Sequence, residues 1–186
     1  MPATQIHSIP GLKNLFNGCS DEVRAHFEHL PSLLDNYPLE VALGYVFHRL
    51  ELGQNMALYC GVVKLHRACC KVASNTIDSH HMTREGFVEL YKTVFDLDLP
   101  ADATRELRTA EKTRDAVMHG GDASEARLRN AIGRVLEFAE ALNDELHNHH
   151  QCKPFSGYWR GFAGRLKKLD ARTTRYMLKG MGFSLA

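Results

Sequence analysis

The chain lacks the signatures of several common enzyme chemistries. Its 186 residues hold no Gly-rich phosphate loop, no HExxH, no GxSxG and no carboxylate pair at a specific spacing. ATP-dependent and zinc-hydrolase chemistry are therefore without support. Cysteine is sparse: Cys19, Cys60, Cys69, Cys70 and Cys152 are odd in number, and no two are spaced CxxC. They read as free thiols buried in apolar helix in a reducing compartment, not as disulfides or a zinc site. No uncharged apolar run approaches the roughly 18 residues that span a bilayer, and residues 1–10 lack a basic-then-apolar signal layout. A cytoplasmic protein without a membrane segment is the expectation, and no cofactor or metal is expected. Internal repeats and low-complexity tracts are also missing.

Net charge is small, +1, but it conceals an asymmetry. Residues 1–151 carry 15 Lys and Arg against 21 Asp and Glu, while residues 152–186 carry 8 against 1. A cationic tail on an acidic body implies a polyanion partner, or docking of the tail on its own or a neighbouring acidic body.

What is present is helical periodicity. Hydrophobic residues make up 44% of the chain, enough for one filled core with an appendage. The first 19 residues have little periodic pattern and are expected to form an irregular leader. From Ser20, a natural N-cap, Val23, Phe27, Leu30, Leu33 and Leu34 predict a helix that ends at Asn36-Tyr37-Pro38. Pro38 opens a long helix to about Ala73, apolar around most of its girth and hence central. Gly44, Gly53 and Gly61 on it would permit close helix approach. Its polar interruption, His48, Arg49, Glu51, Gln54 and Asn55, reads as a solvent side, with some members as candidates to face a functional pocket. Residues 74–82 read as a polar loop, and Thr83 caps a short helix carrying Phe87, Leu90, Tyr91, Val94 and Phe95. Leu128, Ile132, Val135, Ala139, Leu142 and Leu146 then form an unbroken stripe suited to antiparallel packing. The predicted class is all-α, a four- to five-helix bundle over residues 20–151 with a long central helix and a basic C-terminal appendage over 152–186.

The segment Arg114-Asp115-Ala116-Val117-Met118-His119-Gly120-Gly121 holds the best candidate chemistry. An Arg-x4-His spacing alone is weak: 14 Arg and 11 His in this length give roughly 0.8 such pairs by chance, and Arg24 with His29 is a second one. Context separates the two. A helix predicted over 102–119 is closed by two glycines, and Asp122 with Glu125 reads as a capping box for the next helix. His119 then lies at the tip of a helical hairpin. Residues five apart on a regular helix point about 140° from one another, so Arg114 and His119 share a cavity only if the last turn unwinds or the cavity wraps the helix end. Asp115 and His119, four apart, are neighbours, and Asp115 would fix the imidazole's tautomer.

With these residues in place, the stretch from about Ser20 to His150 resembles the HEPN superfamily, helical domains that often act as metal-independent ribonucleases. The specific part of the likeness is the Arg114 to His119 block with its polar second residue. The resemblance implies a dimer whose motifs share an RNA-cleaving cleft, with Arg114 on the scissile phosphate, His119 as general acid or base, and Asp115 as the supporting polar residue. It also allows a non-catalytic role, as an RNA-binding module or as the partner of an antitoxin or other protein in a defence or toxin–antitoxin system.

In the tail, Arg160, Arg165, Lys167, Lys168, Arg172 and Arg175 alternate with Trp159, Phe162, Tyr176 and Phe183. Cations with aromatics suit RNA, through phosphate contact and base stacking. They equally suit an amphipathic wrap that packs its rings and shows its charges to water. Asp170 or Thr173 would cap a short helix ending at Gly180. The His147-x-His149-His150-x-Cys152 cluster reads as a solvated run at a helix end, not a metal site, and His80-His81 likewise.

Overall fold

The computed structural model describes residues 5–80, 82–156 and 167–185. Every regular element among them is a helix: α1 Ile9–Asn17, α2 Asp21–His26, α3 Leu30–Asn36, α4 Leu39–Lys64, α5 Cys70–Ser79, α6 Arg84–Phe95, α7 Ala101–Met118, α8 Glu125–His150 and α9 Ala171–Gly180. The chain is all-α, as the periodicity predicts. No helix among the described residues is long and apolar enough to cross a membrane. The chain divides into two compact units, Met1–Gly53 with Pro100–Gly157, and Gln54–Leu99 with Tyr158–Ala186. The division falls inside α4.

The first unit is built on α8. Its stripe from Leu128 to Leu146 is buried throughout, no member being more than 2% exposed. Each of its Leu, Ile and Val side chains contributes about 1.5–3 kcal/mol relative to exposure. Helix α7 lies along it, burying Leu107 and Ala110 and pairing Glu106 with Arg134 at 3.0 Å. The segment before α1 approaches so closely that a Cβ on Gly133 would stand 2.1 Å from the Ile6 side chain, with Leu15 of α1 at 3.2 Å, and the Ile6 N–H donates to Asn130 Oδ1 at 2.8 Å. The N-terminal leader is thus not irregular throughout. The Ser8 hydroxyl accepts from the Gly11 N–H, Pro10 sits in the first turn, and Leu12 and Phe16, one turn apart, are buried. Two anchors in nine residues were too few for periodicity to register.

Four other boundaries differ from expectation. The helix predicted from Ser20 is two, because the chain turns at Phe27 to His29 and Pro31 opens α3; Ser20 does cap the first, accepting from the Val23 N–H. Helix α4 stops at Lys64, short of Ala73. There Arg67 adopts φ 58° and the Ala68 N–H reaches back to the Val62 carbonyl, a left-handed exit that glycine usually marks. Residues 74–79, read as loop, belong to α5. Finally, α8 is capped by Ser124, whose hydroxyl accepts from the Arg127 N–H, not by Asp122. Glu125 pairs forward with Arg129 at 3.0 Å.

The second unit joins α5, α6, α9 and the end of α4. The Thr83 hydroxyl accepts from the Gly86 N–H to cap α6 as expected, and Phe87, Tyr91 and Phe95 stack along that helix with ring centroids 5.9 and 4.9 Å apart. Asp170 caps α9, accepting from the N–H groups of Arg172 and Thr173. Buried Thr174 accepts from the Cys69 N–H at 3.0 Å, fastening α9 to the start of α5.

Candidate active site

Helix α7 ends in a Schellman turn. Gly120, at φ 79°, donates its N–H to the Val117 carbonyl, and Gly121 donates to Ala116 at 2.8 Å. This is the glycine-closed end that the sequence predicts, and His119 is its C-cap residue. The last turn does not unwind before that cap. The His119 N–H still bonds the Asp115 carbonyl at 3.0 Å, so the helical angle of about 140° between Arg114 and His119 stands.

The two side chains accordingly meet different surroundings. Arg114 is half-buried and held on three sides. Its guanidinium lies over the Phe47 ring, 4.8 Å from the centroid, its Nε and Nη2 donate to Asp115 Oδ1 at 3.1 and 2.9 Å, and its Nη1 lies 3.5 Å from Glu51 Oε1. His119 is exposed, beside Met118 at 72% exposure. Asp115 therefore serves Arg114, and no hydrogen bond joins it to the imidazole among the described residues. Its expected role as the imidazole's orienter is corrected: an adjacent guanidinium with a paired fork is the stronger partner for a carboxylate.

Phe47 and Glu51 complete the Arg114 setting. They sit four apart on α4 and so share a face. Glu51 belonged to the polar interruption whose members were candidates for the pocket. Phe47 went unnoticed, because its place in an apolar run reads as core. Arg49, from the same interruption, does something else: its Nε donates to the His26 carbonyl at 2.8 Å, and His26 Nε2 lies 2.7 Å from the Arg49 carbonyl oxygen. It binds α4 to α2.

In the C-terminal segment, Arg160 and Arg165, with Trp159 and Phe162, lie outside the described residues. Lys167, Arg172 and Arg175 are exposed, and the Arg172 guanidinium stands 5.8 Å from the Tyr176 ring centroid. Lys168 instead donates to the Val63 carbonyl at 2.8 Å, a structural bond. Cys152, Phe155, Leu178 and Phe183 are each 3% exposed or less. The described parts of the segment thus bury these apolar side chains and show Lys167, Arg172 and Arg175 to solvent.

No group of three or more His, Cys, Asp or Glu side chains suited to a metal exists among the described residues. What the Arg114 site offers is a guanidinium with fixed position, able to exchange carboxylate for phosphate, and an exposed imidazole on the far side of the same helix end. With the last turn intact, a single copy brings both to one phosphorus atom only where the bound substrate wraps the helix end. No protein-family model, curated protein or solved structure matches the chain.

Proposed function

We propose that the chain is a metal-independent endoribonuclease of the HEPN type, acting in the cytoplasm as a bundle-shaped homodimer in which Arg114 of one copy meets His119 of the other. The observation that carries this reading is the pairing of a pinned Arg114 with an exposed His119 at a glycine-closed helix tip. A tip is the part of a helix a second copy reaches most easily, and the 140° divergence that separates the pair within one chain is no obstacle across two. In the reaction the ribose 2′-oxygen bonds to the adjacent phosphorus as its proton passes to the imidazole. The 5′-oxygen leaves and takes that proton back from the imidazolium, giving a 2′,3′-cyclic phosphate and restoring neutral His119, while Arg114 neutralises charge on the phosphoryl oxygens.

Incubation with total RNA in EDTA tests it. Wild type is expected to cleave, Arg114→Ala and His119→Ala are each expected to be inactive, and a mixture of the two variants is expected to recover part of the activity through one intact composite site. Cleavage that needs magnesium, or persists in His119→Ala, would refute the proposal.

A second reading is supported by the carboxylates already on Arg114. If Glu51 and Asp115 are its permanent partners, the chain is a non-catalytic module that holds RNA, or an antitoxin-like protein, through exposed cations such as Lys167 and Arg172. Salt-sensitive RNA binding without cleavage, weakened by charge reversal at those positions, would favour it.

A further inference from the structure

A cavity of about 360 Å³ lies in the second unit, between α5 and α9. Its volume falls within the range of small-molecule sites, roughly 300–1,000 Å³. The sequence explains its wall. Lys71, Asn75 and Ser79 repeat every fourth residue of α5, which puts them on one face, and Val72 and Thr76 form the adjoining row. Arg175 faces them from α9, held there by the Thr174 bond to the start of α5, and Leu185 closes one side.

The chemistry of the wall is one-sided. Lys71 and Arg175 both line it, and among the described residues no carboxylate side chain does. The acidic side chains nearby in sequence are occupied: Asp170 accepts the N–H groups at the start of α9 and the Thr173 hydroxyl, and Asp78 accepts the Ser74 hydroxyl at 3.1 Å. Two cations in a concavity whose other described lining residues are uncharged concentrate positive potential there. A guanidinium fork with an ammonium point charge suits a phosphate ester. Thr76, only 6% exposed, and Asn75 add neutral hydrogen-bonding groups. Ser79 differs: its hydroxyl donates to the Thr76 carbonyl at 3.1 Å, leaving its oxygen to accept from a ligand. The apolar Val72 and Leu185 leave space that a bare phosphate would not fill.

We propose that this cavity binds a compact organic phosphate that also carries a hydroxyl, its phosphate on Lys71 and Arg175, its hydroxyl donating to Ser79 and its carbon body against Val72 and Leu185. The proposal is independent of the Arg114 and His119 reading, since no residue is shared.

Calorimetric titration of the full chain with ribose 5-phosphate, ribose, inorganic phosphate and a short single-stranded RNA tests it. Ribose 5-phosphate is expected to bind saturably and more tightly than inorganic phosphate or ribose. Lys71→Ala and Arg175→Ala are each expected to weaken it about tenfold or more, the loss of one charge-assisted contact, and Thr76→Val to weaken it less. Lys179→Ala, an exposed cation of α9 that does not line the cavity, is expected to bind as wild type. Thermal melts of the free variants, close to wild type because Lys71 and Arg175 are exposed, separate lost binding from lost folding. No saturable heat would overturn the proposal. So would equal weakening by Lys179→Ala, inorganic phosphate or ribose binding as tightly as ribose 5-phosphate, or binding of RNA alone.

Discussion

Arg114 and Phe47 form a cation–π pair in which the guanidinium carbon stands 4.8 Å from the ring centroid. Phe47 is 4% exposed, so one face of the arginine is dry while its edge meets Asp115 and Glu51. A contact of this kind is worth about 0.5–2 kcal/mol according to how far it is desolvated. The two carboxylates are about half and nearly two-thirds exposed and add little to stability. Arg114 is therefore oriented more than it is stabilised, and that is what a group positioned for a phosphate requires.

Conservative replacements separate position from charge. Arg114→Lys keeps the cation but loses the planar fork and the stacking on Phe47. It is expected to lower RNA cleavage by at least about tenfold while shifting the urea midpoint only slightly. Phe47→Leu, which conserves most of the buried volume, is expected to destabilise by about 1 kcal/mol and to lower cleavage as well. If Arg114→Lys cleaves as wild type, the fork geometry is irrelevant.

His119→Ala makes the opposite test, because its side chain is exposed and its backbone N–H, which the substitution keeps, makes the bond to the helix. Melting should stay within about 0.5 kcal/mol of wild type, the usual range for a surface position. Cleavage in EDTA should fall by about 10²–10⁴ if the imidazole moves protons in the reaction. Equal activity of variant and wild type would remove the imidazole from the chemistry.

The α7 end and the α8 stripe were legible in the sequence because each rests on a local signal: the paired glycines 120 and 121, and an unbroken apolar row over five turns. The break after Lys64 was not. Its left-handed residue is Arg67, and likewise Asp96 and Gln151 take positive φ where no glycine announces it. Asp122 carries the capping-box signal, with Glu125 three residues on, whereas Ser124, the cap in the structure, has Arg127 there. The Schellman turn needs the residues up to Gly121, and the chain then reaches helical geometry only at Glu125. For the candidate site, spacing predicted the divergence of Arg114 and His119, which the intact last turn keeps. The i, i+4 spacing points Asp115 at His119, whereas its carboxylate accepts from the adjacent Arg114. The contact with Phe47 is tertiary and left no trace in spacing.

His26 links stability to pH. Burial lowers its pKa below the ordinary 6.5, its bond to the Arg49 carbonyl opposes that shift, and the positive charge of Arg49 reinforces it. The folded chain thus favours neutral imidazole, with Arg49 Nη2 3.3 Å from Nδ1. Between the folded pKa and 6.5 the unfolded chain binds more protons, so stability rises with pH there. The contribution is complete above about pH 6.5 and declines as acid is added, levelling off below the folded pKa. Urea midpoints measured from about pH 7.5 to about pH 5 should fall, and His26→Gln should flatten part of that slope. An unchanged slope in the variant would show that other groups carry it.

Cys19 is expected to be chemically quiet. Burial and the nearby Glu140 carboxylate push its thiol up to about 12, and its Sγ donates to the Leu15 carbonyl at 3.5 Å. The thiolate is the reactive form. At about pH 8 an unperturbed thiol, near 8.5, holds a substantial thiolate fraction and Cys19 almost none. Peptide mapping after iodoacetamide treatment of the native chain should find Cys19 modified far more slowly than after unfolding in urea. Comparable rates would contradict the burial argument.

The glycines of α4 give a graded test of packing, because the same substitution has opposite signs along one helix. A Cβ at Gly53 would stand 2.1 Å from the Phe155 ring, and one at Gly61 would stand 2.3 Å from Val94 and 2.7 Å from Phe95. Neither neighbour can easily retreat: Phe155 is 1% exposed, with its ring centroid 5.0 Å from that of His26 and 6.3 Å from that of Phe27, and Val94 and Phe95 are each 3% exposed or less. Gly53→Ala and Gly61→Ala should each destabilise by about 1–3 kcal/mol, the usual cost of overpacking. Gly44 was expected to serve close approach too, but nothing lies within 4 Å of its Cβ position. With no clash to offset, Gly44→Ala should stabilise by about 0.5–1 kcal/mol through helix propensity alone. Chemical unfolding of the three variants reads all three signs, and a stabilising Gly53→Ala would mean that Phe155 does not pack on α4.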